Sequence, residues 1–174
     1  MKHLFTFNNK VETIYPFLKG VVAFIEQHSL EKEEELSFKT RVIVTELLTN
    51  SIKHTTGNVT GLELNITDDA LTIKKIDEGD PFHITNPSAE WPFTDLVDTT
   101  ITIYADALNG LFAKVTAPYN LSFYTESYPV DDVILTDISE HFGLVIICRA
   151  SNSFVYQYNP SSKQSIFTVT INLA

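Results

Sequence analysis

Glu46-Leu47-Leu48-Thr49-Asn50-Ser51-Ile52-Lys53-His54 is the stretch on which the reading of this chain turns. At about 100° per residue, helical geometry puts Glu46, Asn50 and Lys53 on one stripe with His54 at its edge, because spacings of four and seven return to the same face. Val44, Leu48 and Ile52 fall on the other side. The segment therefore predicts an amphipathic helix with an apolar back to bury. Its front carries a carboxylate, an amide and an ammonium in line: a candidate general base, a metal ligand and a phosphate partner. By itself such a stripe also reads as an ordinary solvated helix face.

Upstream, Leu4, Phe5 and Phe7 around polar Thr6 predict a short strand ended by Asn8-Asn9. Ile14, Phe17, Leu18, Val21, Val22 and Ile25 recur at helical spacing, with Pro16 tolerable only near the helix start. Glu31 to Glu35, broken by Lys32, is an acidic run suited to the N-terminus of the Glu46 helix. Downstream, Leu62, Leu64 and Ile66 alternate with polar residues, and Asp68-Asp69 connects them to a second strand, Leu71 to Ile76. That hairpin places Asp77-Glu78-Gly79-Asp80-Pro81-Phe82 at one edge of an antiparallel sheet.

From His83 to Phe142 the pattern changes. Val97, Ile101, Tyr104, Leu108, Leu111 and Val115 repeat every three or four residues before Pro118 and predict a helix, although β-branched Thr99 to Thr102 keeps a strand open. Tyr119 to Tyr128 reads as a strand or an ordered loop. Lys114 is the lone cation here against Glu90, Asp95, Asp98, Asp106, Glu126, Asp131, Asp132, Asp137 and Glu140. Leu144 to Arg149 predicts a short helix with Asp137 or Ser139 as its N-cap. Phe154, Tyr156 and Tyr158, a turn at Asn159-Pro160-Ser161-Ser162, and Phe167, Val169, Ile171 and Leu173 form a closing hairpin.

Length and composition bound what these elements can do. A chain of 174 residues that is 44% hydrophobic suits one domain, residues 1–174, with a core of its own. A net charge of -10 with only 12 Lys and Arg argues against a nucleic-acid partner. Cys148, the sole cysteine, allows no internal disulfide, and no apolar run reaches a membrane span. A cytoplasmic protein without a membrane partner is expected. Strands grouped apart from helices imply an α+β two-layer sandwich, a mixed or antiparallel sheet covered on one face by helices.

Chemistry concentrates at three places: the Glu46 stripe, the Asp77 to Phe82 corner, and Glu140-His141-Phe142-Gly143-Leu144, where a glycine opens a helix. In this order they resemble the ATP site of the GHKL (Bergerat-fold) superfamily. Glu46 to His54 looks like its N-box, Asp77 to Phe82 like its G1 box, and Phe142-Gly143-Leu144 like a remnant of its G2 box. The likeness is nearest to stand-alone anti-sigma-factor serine kinases and histidine-kinase-like ATPase domains, and it covers residues 1–82 and 139–174.

The resemblance implies a Bergerat fold, with 83–142 as a long acidic insertion or lid. It also implies ATP and Mg²⁺ as cofactors. Glu46 would be the catalytic carboxylate and Asn50 the Mg²⁺ ligand. Asp77 would read the adenine amine and Lys53 would contact phosphate, with Gly79, Phe82, Gly143 and Leu144 completing the nucleotide site. The γ-phosphate would pass to a protein partner, sigma-factor-like or antagonist-like, and a homodimer is left open. The sequence departs from the family where Glu140 and His141 stand in place of glycines. The alternative this implies is a catalytically decayed protein-interaction module on the same fold.

Overall fold

The computed structural model describes residues 1–28, 33–84, 90–106, 108–128 and 142–173. Eight strands form one sheet: β1 (Lys2–Phe7), β2 (Thr60–Ile66), β3 (Ala70–Glu78), β4 (Thr100–Ala105), β5 (Asn109–Ala117), β6 (Asn120–Ser127), β7 (Ser153–Asn159) and β8 (Gln164–Asn172). Their order is β1-β2-β3-β8-β7-β6-β5-β4, and every neighbouring pair is antiparallel. Three helices accompany them: α1 (Ile14–Glu26), α2 (Glu33–His54) and α3 (Phe142–Ala150). α1 packs on α2 and α2 on α3, while α1 also touches β1 and α3 touches β6 and β7. None of these helices is long and apolar enough to cross a membrane.

This corrects the expected fold. Among the described residues the chain is sheet-dominated, with more strand than helix and only antiparallel pairing, not a helix-covered two-layer Bergerat sandwich. The source of the difference is the segment expected to be a helix and a lid. Residues 100–127 instead make β4, β5 and β6, a meander that lengthens the sheet by three strands. The helix expected across Val97 to Val115 does not form. Its three- and four-residue spacings mask a two-residue alternation that buries Ile101 and Ile103, then Leu111, Ala113 and Val115, then Leu121 and Phe123. Local chemistry agrees, since Thr99 to Thr102 is β-branched, and the Asp106 carboxylate accepts the Leu108 and Asn109 N–H groups at 2.7 and 2.6 Å and turns β4 into β5. The Tyr104 hydroxyl and those backbone donors hold the Asp106 carboxyl below the usual range.

The remaining elements follow their sequence signals. β2 and β3 bury alternate residues and turn where Thr67 Oγ1 accepts the Ala70 N–H at 3.1 Å. β7 and β8 turn where Asn159 Oδ1 accepts the Ser161 and Ser162 N–H groups. Register brings the buried side chains of Leu64, Ile73, Val169, Phe154, Phe123 and Ala113 side by side across six strands. The two expected N-caps of α3 lie outside the described residues.

Cys148 sits on α3, half-buried, and burial pushes its thiol up to about 12. Burial does the same to the Tyr156 hydroxyl, also to about 12. Above pH 9 to 10 the unfolded chain releases these protons while the folded chain still holds them. Stability that is complete below that range is therefore lost as pH rises towards 12. Cys148 is expected to be inert to a disulfide reagent at pH 8 until denaturant is added; rapid reaction of the native chain would contradict this.

Candidate functional site

β3 carries the first site residue. Its buried face is Leu71, Ile73, Lys75 and Asp77, so two charged side chains follow two aliphatic ones into the core. Lys75 is 3% exposed and Asp77 5%. Buried charges must be paired, and these are: Lys75 Nζ lies 2.7 Å from Asp77 Oδ2. Lys75 Nζ also stands 5.0 Å over the ring of Phe167, its register partner on β8. Burial pulls the Lys75 ammonium below the ordinary lysine value and the Asp77 carboxylate pulls it back.

Two hydroxyls complete the acceptors of Asp77. Thr60 of β2 donates to Oδ1 at 2.5 Å, and Ser51 of α2 reaches the same carboxylate at 3.2 and 3.4 Å. Asp77 is thus tied to an ammonium from its own strand, to a neighbouring strand and to the helix above it. A carboxylate met by an ammonium and two hydroxyls has its charge and most of its acceptor sites taken up from within the chain.

The chain after Asp77 is fastened as firmly. Gly79 has φ of +145°, a conformation that favours glycine, and its N–H donates to Lys163 O at 2.9 Å. Its carbonyl accepts from the Tyr158 hydroxyl, and the Asp80 carbonyl accepts from Ser165 Oγ. The Phe82 N–H donates to Tyr156 Oη at 2.7 Å, and the Phe82 ring lies among Phe123, Tyr156 and Phe167. Phe82, Tyr156 and Phe167 therefore form a continuous aromatic packing beside the Lys75 and Asp77 pair.

α2 places Glu46 and Asn50 half-buried and leaves Lys53 and His54 exposed in its last turn. Helical residues Leu47 and Leu48 are buried, and Ser51, next to Asn50, is the residue that meets Asp77. Glu46 meets α3 instead: a Cβ built on Gly143 would lie 2.4 Å from Glu46 Oε2. A Cβ there would displace the flexible end of the Glu46 side chain, and the approach sets a carboxylate against the first turn of α3, where helix N–H groups favour an anion. Leu144, next in α3, is buried core. Glu140 and His141 lie outside the described residues.

Of the sequence-predicted residues the structure brings Glu46 to Gly143, while Asp77 meets Ser51, Thr60 and Lys75 instead. Comparison with protein-family models and with curated proteins finds no match.

Sequence reasoning missed Lys75, Ser51, Thr60, Tyr156 and Ser165 as parts of this network. A signal was available for Lys75. In Leu71-Thr72-Ile73-Lys74-Lys75-Ile76-Asp77 the odd positions share the buried face, so a lysine and an aspartate two apart on that face must neutralise each other.

Proposed function

We propose that this chain works as a protein-interaction module that regulates a partner by contact, without transferring phosphate. The observation that carries this reading is the closed shell around Asp77. Lys75 supplies the carboxylate with a buried cation, and Thr60 and Ser51 direct their hydroxyls at it, so its charge is met from within the chain. The Glu46 carboxylate lies against the start of α3, where a phosphate would need unopposed N–H donors. Lys75 and Glu46 are thus an internal cation and an internal anion at two of the places where the resemblance calls for a nucleotide. These internal partners weigh against Mg-ATP at this place.

A binding surface is supported by the acidic character of the chain and by the exposed acids Glu90, Asp95 and Asp98 before β4. Such a surface suits a basic protein partner, and its contacts would weaken with salt.

The Mg-ATP-dependent kinase remains the second reading, favoured by one observation: Glu46 and Asn50, to which the resemblance gives the catalytic and metal-binding roles, stand half-buried one turn apart on α2. A thermal melt separates the two. Millimolar MgATP is expected to leave the melting temperature unchanged, whereas binding at 100 times Kd would add about 2.7 kcal/mol of stability. A saturable rise in melting temperature that Asp77→Asn abolishes would establish the kinase reading and reject the contact module.

A further inference from the structure

Outside the Asp77 network, the strongest unexplained feature is the free edge of β1. Met1 and Ile66 exchange backbone hydrogen bonds, so in an antiparallel ladder the next pair, Lys2 with Asn65, does not, and the alternation continues. The backbone groups of His3, Phe5 and Phe7 point to β2. Those of Lys2, Leu4 and Thr6 point away from the sheet, where β1 has no neighbouring strand among the described residues. β1 is lightly protected as an edge: its six residues, KHLFTF, contain no proline, its register with β2 shows no bulge, and its one lysine, Lys2, is paired with Glu63 of the same sheet. The opposite edge, β4, does carry an irregularity, between Thr102 and Tyr104.

We propose that β1 pairs with β1 of a second copy of this chain, antiparallel about a two-fold axis at Leu4. The geometry selects this occupant because the edge is complementary to itself. Residues with outward backbone groups must face one another, and the register that centres Leu4 on Leu4 sets Lys2 opposite Thr6. On the other face the same register puts His3 opposite Phe5, an aromatic cross-strand pair beside the existing His3, Phe5 and Phe24 cluster. Leu4, 60% exposed on the outer face, meets its own copy.

Charge also points to this edge. A chain of net charge -10 repels itself, yet β1 contains no acid, and Glu63, opposite Leu4 on β2, is paired with Lys2 at 2.8 Å. No like charges oppose each other in the proposed register. Added salt should therefore tighten the dimer by screening the remaining repulsion. The pairing stands apart from the contact reading above and survives if that reading fails.

The test uses the full chain in sedimentation over a concentration series. The wild type is expected at twice the chain mass and Leu4→Pro at the chain mass with its circular dichroism intact, because the N–H that proline removes faces outward. A monomeric wild type, or a Leu4→Pro variant that folds and still dimerises, overturns the proposal. Should Leu4→Pro fail to fold, register decides in a Cys148→Ser background. Hydrogen-bonded pairs sit about 5.5 Å apart at Cα, within disulfide reach, so oxidation should cross-link Leu4→Cys and leave Thr6→Cys single. Equal cross-linking at both positions, or none at Leu4→Cys, overturns it as well.

Discussion

Lys75→Met is expected to lower stability by about 3–5 kcal/mol, because it leaves the Asp77 carboxylate buried with its cation removed. Asp77 is 5% exposed, and the hydroxyls of Thr60 and Ser51 do not replace the lost charge. For a chain of this size the loss corresponds to a fall in melting temperature of roughly 6–20 °C. The informative companion is Lys75→Met with Asp77→Leu, which removes both charges. Replacing a buried pair by apolar groups is often neutral. Here both hydroxyls have a second acceptor, Thr60 at Asn9 Oδ1 and Ser51 at the Leu47 carbonyl. The double variant should recover most of the loss in urea denaturation. A single variant that melts like the wild type would mean that the pair does not close the site, and the contact reading would lose its main support.

That pair also shows how far the sequence could be read. The hairpin β2 to β3, the closing hairpin β7 to β8, and α1 through α3 are all signalled by periodicity, because in each the buried face is set by local spacing. The middle of the chain was misleading for a physical reason. Val97, Ile101, Tyr104 and Leu108 fit a helix by chance, whereas strand pairing is decided by partners far away in sequence, such as Phe154 opposite Phe123. The same holds at the site. Asp77 was visible as a carboxylate at a strand end, but whether it faces a ligand or a lysine depends on register with β8 and on the descent of Ser51 from α2. Glu46 was visible as a helix-face carboxylate, but its contact is with a residue nearly a hundred positions later, at Gly143.

The meander that the sequence concealed hangs on one seam, and Phe154→Ala should open it. Phe154 is 1% exposed, lies opposite Phe123 on β6 and Val169 on β8, and stacks on Phe123 at 4.8 Å and Phe167 at 5.7 Å. Truncating a buried phenylalanine costs about 3–5 kcal/mol, the transfer term plus the cavity it leaves. Position decides how that cost is distributed. β6 and β7 are paired only from Asn120 to Phe123, a shorter ladder than those on either side. Beyond it, β4 and β5 hold no neighbour on the β8 side except through β6. Loss of the ring should therefore weaken the join between β4-β5-β6 and the rest before it weakens either part. Hydrogen exchange is expected to rise across residues 100–127 by more than across β2, β3 and β8, with denaturant unfolding becoming less steep as cooperativity falls. Uniform loss of protection along all eight strands would instead mean that the sheet unfolds as one unit and that the three added strands are integral to its stability.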